Sequence, residues 1–140
     1  MGYVILAAWV IQAIVGVTLL VGWVRHARGA DSRVVSAHVA LMVVYLAPWI
    51  AFLATGAAGW AWVAFGVLLV GIPFGDAMMT RRARRVRGET NPGMRDYGLA
   101  IGMVFTGKLP PRVIFHALFA PVVFFGSLAV AIGATVGSGG

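Results

Sequence analysis

Charge on this chain is confined to two short windows, and nearly everything between them is apolar. All 11 Lys and Arg residues fall within Arg25–Arg33 or Arg81–Arg112. The four acids, Asp31, Asp76, Glu89 and Asp96, lie in the same windows or just before the second. A helix that crosses the hydrocarbon core needs about 20 mostly apolar residues, and cytoplasmic loops collect Arg and Lys. The pattern predicts an integral membrane protein whose two charged loops, 25–33 and 80–112, face the cytoplasm.

Composition agrees with that reading. The chain is 61% hydrophobic and only 11% charged, with a mean hydropathy of +0.93, which excludes an ordinary soluble domain. Its 140 residues make one domain's worth, so a single transmembrane domain over 1–140 is expected. A formal charge of +7 would suggest nucleic acid in a soluble chain. Here the positive-inside distribution accounts for it, and no nucleic-acid partner is expected. The Arg-rich loops are instead expected to meet anionic lipid headgroups, at about 1 kcal/mol per basic residue near the surface. Cysteine is absent, which removes disulfides, thiolate metal sites and a Cys nucleophile. Arg far outnumbers Lys, and Ala, Gly and Val abound. That usage suggests a GC-rich bacterial genome and hence a bacterial inner membrane.

Four spans follow from the apolar runs, at about 3–24, 34–53, 59–79 and 113–134. The first has its positive residues after it rather than before it, and it exceeds a signal-peptide core in length. It therefore reads as a retained helix that enters from outside. Only Gln12 and Thr18 are polar within it. Asp31 or Ser32 is the expected N-cap of the second span. Trp60 and Trp62 mark an outer aromatic anchor on the third. Within the long second loop, Asn91-Pro92-Gly93 and Pro110-Pro111 are breakers. Between them Tyr97–Thr106 is apolar but too short to span, so it reads as an interfacial or re-entrant piece. Lipid offers no partner for bare backbone, which makes every span helical. The expected fold is an all-α, four-helix up-down bundle with both termini outside. A short internal similarity suggests two parallel helix-hairpin repeats. The second span opens as Arg33-Val-Val-Ser-Ala-His38 and the fourth as Arg112-Val-Ile-Phe-His116, and each then carries a proline, Pro48 or Pro121.

The ionisable residues inside the spans converge on one layer. His38 and His116 each lie about one turn inside a helix that enters from the cytoplasmic side. Asp76 lies about one turn from the cytoplasmic end of the third span, at the same depth. Such residues usually face the bundle interior and mark function. Two imidazoles at equal depth on parallel helices suit the axial positions of one b-type haem, and Arg33 and Arg112 are placed to meet its propionates. The helix faces that follow, Leu41, Met42, Tyr45 and Trp49 on one side and Phe119, Ala120, Val123 and Ser127 on the other, would line it. The same layer also reads as a divalent-metal site of His38, His116 and Asp76, with His26 as a fourth ligand. A structural alternative pairs Asp76 with Arg81 or Arg82 and leaves the histidines bonded to carbonyls. Gly71 to Gly75 (GIPFG) is a small-residue packing motif in any of these readings. No histidine lies in the outer half of any span, which excludes a second bis-His haem there. Hydrolytic chemistry has no footing: the sequence holds no GxSxG motif and no paired carboxylates.

The segments His38–Arg81 (HVALMVVYLAPWIAFLATGAAGWAWVAFGVLLVGIPFGDAMMTR) and Pro111–Phe124 (PRVIFHALFAPVVF) resemble stretches of small, uncharacterised four-helix membrane proteins of actinobacterial-type genomes. There a His opens helix 2 and a proline precedes a His in the last helix. That resemblance implies the two-His architecture and no activity. A looser likeness is to haem-bearing anchor subunits and b561-type cytochromes, from which this chain departs by lacking the histidines for two haems. The function expected is a single-haem redox or accessory role. The alternatives are a cofactor-free accessory or scaffold subunit, within a homo-oligomer or a larger membrane complex, and divalent-metal binding or transport. A stand-alone enzyme is not expected.

Overall fold

In the computed structural model, which describes residues 1–27, 29, 31–88 and 95–137, the chain is helical throughout, and no strand occurs among those residues. The helices are α1 (Gly2–His26), α2 (Ser32–Val44), α3 (Leu46–Thr55), α4 (Ala58–Arg87), α5 (Asp96–Phe105) and α6 (Pro111–Gly137). Four stretches, Gly2–His26, Ser32–Thr55, Ala58–Arg87 and Pro111–Gly137, are long and apolar enough to cross a membrane. At 1.5 Å per residue the 25 residues of α1 reach past a hydrocarbon core of about 30 Å.

Three details differ from the sequence reading. The second span is bent rather than continuous, dividing into α2 and α3 at Tyr45. Pro48 is the reason: it has no N–H to offer the carbonyl of Val44, and its ring crowds that carbonyl. The turn persists through neighbouring bonds, with Tyr45 N–H to Leu41 O at 3.0 Å and Trp49 N–H to Tyr45 O at 3.2 Å. The third span does not end at 79 but continues as α4 to Arg87, so Arg81 to Arg87 are helical and not loop. Arg84, Arg85 and Arg87 occupy its last turn, where cations offset the helix dipole. Gly88, at φ 70°, closes it by donating its N–H toward Arg84 and Arg85 carbonyls. Asp31 does not cap α2 with its side chain. It adopts a left-handed backbone and points its carboxylate at α4 instead. The Asn91-Pro92-Gly93 breaker lies outside the described residues.

Packing order follows from which helices touch. α4 contacts α2, α3, α5 and α6, while α1 contacts α6 and the end of α3. α2 and α3 have no such backbone contact with α6, and α1 has none with α4. The paired residues run in opposite chain directions. A Cβ on Gly126 of α6 would meet Ile5 of α1, while Gln12 of α1 bonds His116 of α6. Trp62 of α4 bonds Thr135 of α6 through its indole N–H at 2.9 Å, and Phe65 packs on Phe124.

The interior is built of small residues and a few aromatics. Ala8, Ala61, Ala64 and Ala131 are buried, and so are Tyr45 and Trp49, both fully. Many large apolar side chains point outward along every span, among them Ile14, Val17, Ile50, Leu69, Val122 and Phe125. A protein bathed in water does not expose so continuous an apolar surface. Close helix approach at small residues is how helices associate in lipid, where burying leucine gains nothing over leaving it in the acyl chains. Gly71 shows the constraint. A Cβ there would lie 2.3 Å from Met42 Cε and 3.4 Å from Leu41 Cβ. Replacing Gly71 by Leu should therefore push α2 off α4 and cost about 1–3 kcal/mol by overpacking. Thermal unfolding in detergent reads this as a lowered midpoint, whereas Gly66→Leu, at a position with open space, should leave it nearly unchanged.

Candidate functional site

His38 reaches inward from the first turns of α2, and His116 from those of α6. Their rings meet with centroids 6.4 Å apart and planes at 72°. The two histidines that the sequence placed at one depth are thus in edge contact, on helices whose backbones do not touch. Each imidazole also lies against a glycine of a flanking helix. A Cβ on Gly75 of α4 would sit 3.0 Å from His38 Cε1 and 3.4 Å from its Nδ1. A Cβ on Gly16 of α1 would sit 3.4 Å from His116 Cε1. All four spans therefore contribute to one layer: imidazoles from two of them, bare backbone from the other two.

Hydrogen bonding fixes the chemistry of His38. Its Nδ1 lies 3.2 Å from the carbonyl oxygen of Gly71. A carbonyl only accepts, so Nδ1 carries the proton and Nε2 of the neutral ring presents a lone pair. A donor bond of this kind is what orients a ligating imidazole. His116 is less satisfied: its Nδ1 is buried with no partner. Beside it, Gln12 of α1 donates from Nε2 to the His116 carbonyl at 2.8 Å, while Gln12 Oε1 is buried and unpaired. Two orphaned polar atoms in one apolar layer are a cost, of about 1–3 kcal/mol each, that a bound group would relieve.

Beyond this layer the two histidine-bearing spans meet again. Tyr45 Oη lies 3.0 Å from Ser127 Oγ, and Ser127 also donates to the Val123 carbonyl at 2.7 Å. The faces read from the sequence as following His38 and His116 are therefore the faces that converge. Tyr45 stacks on Trp49 and Trp9, and the Trp49 indole donates to the Gly2 carbonyl at 3.3 Å. The far half of the molecule is thus closed by stacked aromatic rings, with the Tyr45 hydroxyl and the Trp49 indole N–H both hydrogen-bonded.

Among the described residues Asp76 makes no ion pair with Arg81 or Arg82, and its carboxylate is near enough to His38 to interact with it electrostatically without a hydrogen bond. It accepts a hydrogen bond from the Tyr97 hydroxyl of α5 at 3.2 Å. Partial burial, the Asp76 charge and the bond itself hold the Tyr97 phenol above its usual range, so it stays protonated as the donor. Arg81 pairs with Asp31 instead, and Arg85 Nη1 lies 3.2 Å from the other Asp31 oxygen. Arg84 Nε lies 3.1 Å from Asp96 of α5. Among the described residues no three His, Asp or Glu side chains are gathered as a metal-binding group. His26, Arg33 and Arg112 are exposed at the charged end. The Tyr97–Thr106 piece is the helix α5, which buries Ala100, Met103 and Val104 against α4 and α6.

Gln12, Gly16, Gly75 and Tyr97 were not singled out as site residues from the sequence. For the first two a signal existed: Gln12 is one of two polar residues in the first span, and Gly16 lies one turn later on the same face. The chain matches no protein-family model, and no curated protein or solved structure is significantly similar to it.

The Tyr97–Asp76 bond ties the N-terminal turn of α5 to α4, beside the Arg84–Asp96 pair. Tyr97→Phe should loosen that turn by about 0.5–1 kcal/mol, the net worth of a partly exposed hydrogen bond. Hydrogen exchange should then speed up two- to fivefold across 96–105 and stay unchanged in α1.

Proposed function

We propose that this protein is an integral protein of the bacterial inner membrane, a four-helix up-down bundle, that holds one b-type haem between His38 and His116. The observation that carries this reading is the meeting of two imidazoles, from helices whose backbones do not touch, at a spacing suited to a shared metal. Imidazole nitrogen binds a first-row metal ion at about 2.0 Å, so two axial imidazoles set their ring centres roughly 6 Å apart. The observed separation is 6.4 Å. The Nδ1–H of His38 donates to the Gly71 carbonyl, the kind of bond that orients a ligating imidazole. The bare backbone at Gly16 and Gly75 lets both rings pack close to their flanking helices, and a Cβ at Gly75 would crowd His38. The orphaned His116 Nδ1 and Gln12 Oε1 mark the layer as polar and incomplete. Arg33 and Arg112, five and four residues before the histidines on the same helices, are the residues to hold the propionates.

Haem supplies reversible one-electron chemistry, tuned by its axial ligands and surroundings. A single site near the charged end serves electron exchange at the cytoplasmic face, or an accessory redox role in a larger complex. The distribution of Arg and Lys orients the bundle with both termini outside. Fusions at the C-terminus should therefore give active alkaline phosphatase and dark GFP, and a fluorescent GFP fusion with inactive phosphatase would overturn the orientation.

Membranes enriched in the protein should show a low-spin b-type spectrum, because imidazole on both faces of the iron pairs its electrons. His38→Ala or His116→Ala should each lose or convert that spectrum, and His26→Ala should leave it intact. Arg33 or Arg112 replacements should shift the midpoint potential or occupancy without abolishing binding. A colourless protein from haem-sufficient cells would overturn the haem reading in favour of a cofactor-free scaffold subunit. Colour that survives both histidine replacements would overturn the ligand assignment.

A further inference from the structure

At the charged end a groove runs between the close of α1 and the final turns of α4. His26, Ala27, Arg82, Arg85 and Val86 line it, and it is open to the surroundings rather than enclosed. We propose that this groove binds the phosphate headgroup of an anionic phospholipid. The proposal rests on the membrane reading and is independent of the haem.

Charge complementarity is the first argument. Arg82 and Arg85 are three apart on α4 and so share a face. Arg82 is exposed and has no ion-pair partner among the described residues. Arg85 gives one nitrogen to Asp31, at 3.2 Å, and a guanidinium has five N–H donors in a planar fork that matches phosphate. Among the described residues the carboxylate that Arg85 meets is Asp31, and it is shared with Arg81. The groove is therefore left positive.

Its apolar part decides which phosphate enters. Ala27 and Val86 line the groove beside the arginines. From there the outer face of α1 continues as exposed Val24, Val21 and Val17. A free phosphate ion has no use for such a face. A phospholipid does: its headgroup meets the arginines while its acyl chains lie along the valines, at the level where a basic rim meets the apolar belt.

Lipid retention in native mass spectrometry tests this on the full-length protein in mild detergent. The probes are phosphatidylglycerol, phosphatidylcholine and inorganic phosphate, offered separately. Phosphatidylglycerol should be retained at least tenfold over phosphatidylcholine, and inorganic phosphate should not compete with it at equal concentration. Arg82→Ala, which breaks no ion pair, should weaken phosphatidylglycerol retention about fivefold, the effect of one basic residue near an anionic surface. The pair Arg82→Ala and Arg85→Ala should weaken it by about 25-fold on the same basis. Lys108→Ala, outside the groove, should change nothing. Equal retention of both lipids, or retention unchanged in Arg82→Ala, would overturn the site. Competition by inorganic phosphate would overturn the lipid as its occupant. A chain that does not partition into membranes at all would instead fail the membrane reading itself.

Discussion

With no side chains at Gly71 and Gly75, α4 lets Met42 and His38 of α2 lie directly against its backbone. The rest of the interior depends on that approach. It brings the Gly71 carbonyl within reach of His38 Nδ1, which fixes the ring and its tautomer. It aims His38 across the bundle at His116. In lipid, where burying aliphatic surface between helices offers no advantage over leaving it in acyl chains, contact between backbones is the main attraction available. The same two glycines thus serve packing and site at once. A Cβ at either would move the helix, the histidine or both.

A second set of interactions holds the charged end together without relying on contacts inside the apolar layer. Asp31 leaves the start of α2 to meet Arg81 and Arg85, which ties the α1–α2 connection to α4. Asp96 meets Arg84, and Tyr97 meets Asp76, which ties α5 to α4 as well. The contacts of Asp31 and Tyr97 are partly exposed, so each contributes little on its own, about 0–1 kcal/mol, whereas Asp96 is buried where it meets Arg84. Their value is positional. Long basic side chains on a helix that runs on beyond its apolar stretch are held in a defined arrangement, and Arg82 is left pointing at the groove beside His26.

Much of this was legible in the sequence because the bilayer's demands are coarse. A run of apolar residues bounded by arginines has few alternatives, and the four spans sit close to where the runs predicted them. The convergence of His38 with His116 was legible for a similar reason: equal distance from the charged end gives equal depth, and an ionisable residue in a span faces inward. What was not legible turned on competition between partners. Asp31 had a cap to make and Asp76 had arginines within a turn or two, yet Asp31 took the arginines and Asp76 took Tyr97. Sequence distance cannot rank such choices, because the winner is decided by which helix passes alongside. The extension of α4 through RRARRVR was hidden for a different reason. Hydropathy marks where an apolar layer ends, whereas arginine is a good helix former that carries the helix beyond it.

The two halves of the interior differ in a way that bears on what the protein can do. In the half beyond the histidines, Tyr45 and Ser127 satisfy each other, Trp49 finds the Gly2 carbonyl, and Trp9 stacks against Tyr45. These groups are paired and several are fully buried, so that half gains nothing from a ligand. In the half toward the charged end, one imidazole nitrogen and one amide oxygen are buried without partners, beside two glycines. A fold that satisfies its polar atoms in one layer and leaves them open in the next has a reason to tolerate the cost there. That contrast leaves the histidine layer, and not the aromatic half, as the place where a bound group would find unpaired polar atoms.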